Sequence, residues 1–262
     1  MIDLHLHLLP AVDDGPKDLE HSLLFARALV EAGVDRAVVT PHIDEWTSEV
    51  LPNVAAVVAR TAALQTELQS RSIMLRLQPG GECYLSDDLV QRAHDRTVPT
   101  FGPAHCLLVE MAAQQPLYNG GQILSQLRLA GVRVLLAHPE RYSFVQSRPA
   151  VVDELVELGV MLQVTASAFR QTSHSGRAHL AETLLRRGQV HIVASDGHND
   201  KAVLGMREGL ERLHEIAGEA MVRLLTVENP QALLESTERI RPAPAPEPQA
   251  RHFRIPFFRA RR

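Results

Sequence analysis

The sequence predicts a single α/β barrel of parallel strands, and three observations lead to this fold class. Seven short apolar segments alternate with longer stretches of helical periodicity along most of the chain. Each of these segments is apolar on both sides, as expected of parallel strands that are covered on both faces. No domain-sized linker interrupts the alternation, and units of about 30 to 40 residues suit a closed barrel. The predicted strands are residues 2–6, 36–40, 73–78, 106–109, 133–137, 160–164 and 190–194.

Helices are predicted between the strands from apolar periodicity and from residues that start or stop helices. The first covers residues 18–31, because apolar residues recur at helical spacing between Pro16 and Gly33. The others are predicted near residues 51–70, 86–94, 122–130, 150–158 and 179–187, with two or three more in 203–236. An open doubly wound sheet is the alternative architecture. It is less favoured, because no G-x-G-x-x-G segment follows the first strand.

Composition indicates a globular protein and argues against several functional classes. The 262 residues are 45% hydrophobic and 22% charged, which provides ample material for a core. A net charge of −4 argues against nucleic-acid binding as the main function. Cys83 and Cys106 are too few for a disulfide framework and point to a reducing compartment. Since neither a signal-peptide pattern nor a long apolar run is present, a cytoplasmic location is predicted.

A change of composition divides the chain near residue 240. Residues 241–262 carry six Arg and one Glu, begin with alternating Pro and Ala, and show no periodicity. We therefore predict a folded domain over residues 1–240 and a disordered tail over residues 241–262. The tail is interpreted either as a solvated segment or as a contact to a membrane surface or a partner protein, made by its Phe and Arg side chains.

Side chains that bind metal ions recur where the predicted strands end. In a parallel barrel these ends converge on one face, where active sites are built. His5 and His7 leave the same face of the first strand, because they are two residues apart. Six of the seven strands deliver an imidazole or a carboxylate, and the remaining strand offers Thr165. The predicted ligands are His5, His7, Asp14, His42, Glu82, Glu110, His138, Asp196 and His198.

For any single histidine of this set, a hydrogen-bonding role without metal is the more frequent outcome. A role without metal is not expected for the whole set. So many polar groups at one end of the barrel, here called its mouth, would repel or desolvate one another unless cations held them. Imidazole and carboxylate together suit Mn, Fe or Zn, and nine ligands suffice for two or three ions. The sequence therefore predicts a polynuclear metal centre. Bridging ions of this kind lower the pKa of a shared water and provide a hydroxide nucleophile.

These residues lie in an ordered series of short motifs. The motifs are His5-x-His7, Asp13-Asp14-Gly15, Thr40-Pro41-His42, Glu82 within residues 81–84, Leu108-Val109-Glu110, His138-Pro139-Glu140-Arg141-Tyr142 and Ser195-Asp196-Gly197-His198-Asn199. The series resembles the PHP (polymerase and histidinol phosphatase) superfamily over about residues 1–238. Within it, the chain looks like the bacterial capsule- and exopolysaccharide-type tyrosine phosphatases of the CpsB type.

The resemblance implies a distorted (β/α)7 TIM-like barrel, the PHP fold, with three metal ions that are usually Mn2+. It implies one ion on His5, His7, Glu82 and Asp196, a second on Glu82, Glu110 and His138, and a third on Asp14, His42 and His198. It also implies that Arg141 clamps the substrate phosphate, and Asn199 is predicted to line the substrate site. The Arg-Pro-Pro segment common in the family after the last motif is replaced here by residues 201–204. Lys201 and Arg207 are the candidates to replace that Arg.

The predicted function is metal-dependent hydrolysis of protein phosphotyrosine, linked to capsule or exopolysaccharide synthesis. The expected partner is a phosphotyrosine protein, in particular an autophosphorylating bacterial tyrosine kinase, and the oligomeric state is left open. A cysteine-dependent phosphatase is not expected, because neither cysteine has an Arg six positions on. The alternatives are a small-molecule phosphoesterase of the histidinol-phosphatase type and a catalytically silent scaffold. The scaffold conflicts with the intact ligand set.

Overall fold

The computed structural model describes residues 1–44, 47, 49, 53–114, 119–170 and 175–246. In this part of the chain, no helix is both long enough and apolar enough to span a membrane. The strands are β1 Ile2–Leu6, β2 Arg36–Val39, β3 His42–Ile43, β4 Arg76–Pro79, β5 Glu82–Tyr84, β6 Cys106–Glu110, β7 Arg133–Ala137, β8 Met161–Thr165 and β9 Ile192–Ala194. The helices are α1 Leu19–Glu31, α2 Val54–Ser70, α3 Leu89–His94, α4 Gly120–Leu129, α5 Ser143–Ser147, α6 Val151–Glu157, α7 Gly176–Arg186, α8 Ala202–Ala217, α9 Glu219–Arg223 and α10 Asn229–Glu235. The first residues of the predicted helix at 51–70 lie outside the described residues.

Two short strands, β3 and β5, were not predicted. Each follows a predicted strand after a break in the chain, β3 after β2 and β5 after β4. Gly80 and Gly81 form the second break, and a Cβ on Gly81 would lie 2.6 Å from Ile43 Cγ1. The chain therefore passes too close to its neighbour there for any side chain. The break moves the strand from the sheet of β1 and β2 to the sheet of β3 and β6.

All strand pairs are parallel and form two sheets, in the orders β1-β2-β4 and β3-β5-β6-β7-β8-β9. Backbone hydrogen bonds join the first strand to the segment that follows the last. The N–H of Asp196 donates to the carbonyl of His5 at 2.9 Å, and the N–H of His7 donates to the carbonyl of Gly197 at 2.9 Å. The prediction of a seven-unit parallel α/β barrel is confirmed, and the split strands make it a distorted one.

An apolar cluster from six of the strands lies beneath the C-terminal ends of the strands. Leu4, Leu108, Leu135 and Ile192 are fully buried in it, and Leu233 of α10 packs against them. Along one face of a strand the side chains alternate, so this cluster gives way to polar groups further up. On β6, Glu110 follows apolar residues of the same face. On β8, Gln163 and Thr165 follow an apolar residue of the same face. The apolar cluster thus lies directly below polar side chains at the C-terminal ends of the strands.

The chain continues along the barrel beyond residue 240. Ala243 is buried, and its N–H donates to the carbonyl of Val190 at 2.7 Å. Asn229 Nδ2 donates to the carbonyl of Arg241 at 3.3 Å. The Phe residues and most of the Arg residues of the predicted tail fall in 247–262, outside the described residues. The proposed contact of that tail with a membrane or a partner therefore stays a prediction.

Candidate metal centre

Glu82 lies at the middle of the predicted ligands, where β5 begins. Its Oε2 is 3.3 Å from His5 Nε2, 3.4 Å from His7 Nε2 and 3.2 Å from His42 Nδ1. Its Oε1 is 2.9 Å from His138 Nε2. One buried carboxylate thus contacts four imidazoles, which come from the C-terminal ends of β1 and β7 and from β3. This is the geometry that a bridging carboxylate requires.

Asp14 and Asp196 extend this arrangement on two sides. Asp14 Oδ1 lies 3.2 Å from His198 Nε2 and 3.6 Å from His42 Nε2. Asp196 Oδ1 lies 3.2 Å from His5 Nε2 and 3.7 Å from His7 Nε2. The two carboxylates therefore serve different sets of imidazoles.

Glu110 completes the set at the end of β6. Its Oε2 is 3.6 Å from His138 Nε2, and it shares a further group with His42 and Glu82. Four groups of side chains each bring their ligand atoms within 4.8 Å of one another. They are His7, Asp14, His42 and His198; His5, His7 and Asp196; His5, Glu82 and His138; and His42, Glu82 and Glu110. All nine predicted ligands are therefore brought together in one mouth.

The spacing and chemistry of these groups fit divalent metal ions. Ligand atoms about 2.1 Å from one ion lie roughly 3.0 to 3.4 Å apart in octahedral or tetrahedral geometry, close to several of the separations above. Glu82 Oε2 is buried and makes no hydrogen bond with the described residues, although three imidazole nitrogens face it. A buried carboxylate oxygen without a hydrogen bond is costly, and an ion would satisfy it. Imidazole and carboxylate donors suit Mn, Fe and Zn.

Outer partners hold two of the imidazoles in the orientation that a ligand needs. Asp13 Oδ2 lies 2.8 Å from His7 Nδ1, and Gln163 Oε1 lies 2.9 Å from His5 Nδ1. When Nδ1 donates to such an acceptor, the lone pair of Nε2 is left for an ion. Gly15 packs against this unit, since a Cβ there would lie 2.8 Å from the carbonyl oxygen of His7. The close packing explains the glycine after the two aspartates.

Sequence reasoning missed Gln163. The signal for Gln163 was an amide side chain in the middle of a buried strand, where a polar group needs a partner. Its partner, His5, is 158 positions away in the chain. No local pattern indicated that pair.

Two of the ligands occupy left-handed backbone conformations, His138 at φ +34° and Asp196 at φ +50°. Such φ values cost energy for residues other than glycine and are found most often at functional sites. Both residues stand just after a strand end, where the chain turns. Tyr142 braces the first turn, because its hydroxyl donates to the carbonyl of Ala137 at 2.8 Å and accepts from the N–H of Met111 at 3.0 Å.

The charges of the centre are strongly coupled. Burial alone would lower the pKa of His5, but the carboxylates of Glu82 and Asp196 raise it to about 9. Burial, and then the negative charge of Glu82, raises the pKa of Glu110 to about 8. Against its burial, the pKa of Glu82 is held well below its usual range, first by His5. Without ions, protons on these groups therefore take the place of metal charge.

Replacing Asp13 with Asn is expected to weaken Mn2+ binding by about 10- to 100-fold while leaving the fold intact. The amide keeps the size of the side chain but loses the charge that holds the His7 ring. The measurement is a titration with Mn2+ by calorimetry. The matched control is Asp35→Asn at a largely exposed aspartate, which should bind as the wild type does. If both variants bound Mn2+ with equal affinity, the role of Asp13 in orienting the His7 ring would be wrong.

The two predicted substrate residues stand at the rim. The guanidinium of Arg141 contacts Asp196 Oδ2, and about a third of its side chain is exposed. It is therefore held beside the predicted metal ligands and remains open to solvent. Asn199 is exposed, and its Oδ1 accepts from the N–H of Ala202 at 3.2 Å, in the turn before α8. Their contacts with substrate stay predictions.

Known proteins match almost the whole chain. The tyrosine-protein phosphatase YwqE of Bacillus subtilis (strain 168) is 30% identical over 247 residues, which are 94% of this chain and 96% of that protein. The tyrosine-protein phosphatase CpsB of Streptococcus agalactiae is 27% identical over 242 residues, with shares of 90% and 99%. A chain from the crystal structures of YwqE from Bacillus subtilis and CpsB from Streptococcus pneumoniae, described as unique metal-dependent tyrosine phosphatases, superposes with a TM-score of 0.85. It is 28% identical, and the match covers 95% of this chain and 100% of that one.

The family described as "Capsular polysaccharide synthesis, CpsB/CapC" matches residues 1–235. This stretch includes every strand of the barrel and all nine predicted ligands. The chain belongs to the CpsB/CapC family of capsular polysaccharide synthesis.

Proposed function

We propose that this protein is a metal-dependent tyrosine-protein phosphatase of capsule or exopolysaccharide synthesis. The observation that carries the proposal is the convergence of five imidazoles and three further carboxylates with Glu82 at the mouth of the barrel. The relatives named above, YwqE and CpsB, are tyrosine-protein phosphatases, which supports the same reaction here. A cytoplasmic location is proposed with it, supported by the two buried, unpaired cysteines.

Three ions, with Mn2+ as the first choice and Fe or Zn as alternatives, are proposed for the centre. They would be held by His5, His7, Glu82 and Asp196, by Glu82, Glu110 and His138, and by Asp14, His42 and His198. The contacts of Glu82 Oε2 with His5 and His7 and of Glu82 Oε1 with His138 support its bridging role in this assignment. When bound, such ions supply an activated water and neutralise charge on the phosphoryl oxygens.

Arg141 binds the phosphate in this proposal. A guanidinium pairs two of its N–H groups with two phosphoryl oxygens, and contact with Asp196 holds Arg141 at the rim beforehand. A tyrosinate leaving group, with a parent pKa of about 10, needs little help from an acid. Burial raises the pKa of Cys83 and that of Cys106 to about 12, so neither thiol serves as the nucleophile. The proposed reaction therefore proceeds without a phosphocysteine intermediate.

The proposed substrate is a phosphotyrosine protein, in particular an autophosphorylating bacterial tyrosine kinase. The test is release of phosphate, with Mn2+ supplied, from a phosphotyrosine peptide, a phosphoserine peptide and histidinol phosphate. Wild type is expected to act on the phosphotyrosine peptide, and His138→Ala to lose at least about 100-fold in kcat/KM, because one ligand of the centre is gone. If only histidinol phosphate were turned over, the proposal of a phosphotyrosine substrate would be wrong. A fully active His138→Ala variant would contradict the metal centre.

A further inference from the structure

A cavity of about 410 Å³ lies beside the metal centre, between the ends of β7 and β8 and the start of α7. Among the described residues, none of the nine predicted metal ligands lines it, whereas Arg141 does. Arg141 therefore borders both the metal centre and this cavity. The lining residues that matter here are Glu140, Arg141, Thr165, Arg170 and Arg177.

Three arginines give the cavity a positive wall. Arg141 is paired with Asp196, and Arg170 Nε lies 2.6 Å from Glu208 Oε2. Arg177 is exposed in the first turn of α7, and in the described part of the chain it has no ion-pair partner. The N-terminal end of an eleven-residue helix adds partial positive charge at the same place. The cavity thus holds a cation available to an incoming anion.

Two buried residues form the wall of the cavity on the side of the barrel. Thr165 and Glu140, 3% and 1% exposed, both line the cavity. Glu140 Oε1 accepts from the N–H of Thr165 at 3.0 Å, which fixes the carboxylate in place. Thr165 Oγ1 and Glu140 Oε2 have almost no accessible surface, so a ligand in the cavity meets the arginines and not these two atoms.

We propose that this cavity is a subsite for the peptide that carries the phosphotyrosine, and that it selects an acidic side chain close to that tyrosine. Arg177, with Arg170 beside it, pairs with the carboxylate of that side chain. Because Arg141 borders both sites, the acidic residue lies within a few positions of the phosphotyrosine. The inference rests on the proposed phosphatase function and names its substrate class as an acidic phosphotyrosine segment.

The test compares kcat/KM, with Mn2+ supplied, for three substrates. They are phosphotyrosine peptides with Glu at the positions flanking the tyrosine, the same peptides with Gln, and free phosphotyrosine. Wild type should prefer the Glu peptides by about fivefold, through KM rather than kcat, which corresponds to one exposed ion pair. Arg177→Gln should reduce that preference to under about twofold and leave free phosphotyrosine unchanged. Arg186→Gln removes a charge from the last turn of the same helix and should keep the preference.

Three outcomes would overturn the subsite: no preference in wild type, an equal loss on all three substrates in Arg177→Gln, or the same loss of preference in Arg186→Gln. The last would assign the effect to long-range charge instead of the cavity. Arg177→Glu gives an independent check, because reversal of the charge should shift the preference toward Lys-flanked peptides. If wild type fails on free phosphotyrosine as well as on every peptide, the proposed function itself is wrong, which separates the two failures.

Discussion

Replacing Glu82 with Gln is expected to reduce Mn2+-dependent phosphate release from phosphotyrosine by at least about 1000-fold. The carboxylate contacts His5, His7, His42 and His138 and is 1% exposed, so the isosteric amide alters charge and donor chemistry with little change in packing. An amide presents only one oxygen and cannot bridge ions as a carboxylate does. The measurement is kcat/KM over a wide range of Mn2+ concentration.

The matched control is Glu67→Gln on the exposed side of α2, which makes the same chemical change far from the mouth. Its activity should equal that of wild type. Circular dichroism melting curves without metal would show that both variants fold. If Glu82→Gln kept more than about a tenth of the activity at saturating Mn2+, the bridging role of Glu82 would be wrong.

Adding Mn2+ is expected to raise the free energy of unfolding of the wild type by about 4 kcal/mol at a concentration 1000 times the dissociation constant. The folded chain gathers the ligands in one mouth, whereas the unfolded chain scatters them, so the ions bind the folded state far better. Urea unfolding with Mn2+ and with a chelator measures the difference. Glu82→Gln should lose most of this gain. A gain of the same size in that variant would place the stabilising ions elsewhere.

This gain should also increase with pH up to about 9. Without ions, the pKa of His5 is raised to about 9 by Glu82 and Asp196 against its burial, and the pKa of Glu110 is raised to about 8 by burial and by Glu82. Both groups therefore hold a proton at pH 7, and an ion must displace it before it binds. Affinity falls as pH is lowered below these pKa values. Calorimetry in buffers of different ionisation enthalpy counts the released protons, and zero release at pH 7 would contradict this account.

Local patterns in the sequence determined the barrel fold and the positions of the predicted ligands within it. Apolar runs such as residues 133–137 predict strands whatever their neighbours are, and β7 has those bounds. Because parallel strands end on one face, placing His138 directly after such a run was enough to predict that it faces the mouth. The same reasoning located all nine residues that the structure brings together.

Only the tertiary structure decided the contacts between distant segments. The break at Gly80 and Gly81 depends on the close approach of Ile43, which a pattern of apolar residues does not encode. The cavity beside Arg141 likewise exists because β8 and α7 pack next to the turn after β7. The sequence alone therefore determined where most of the predicted strands end, since hydrophobic periodicity is local, but it missed β3 and β5, which begin at His42 and Glu82. The structure decided how Gln163, Asp13, Arg141 and Arg177 surround those residues, since hydrogen bonds and ion pairs across the fold depend on three-dimensional packing.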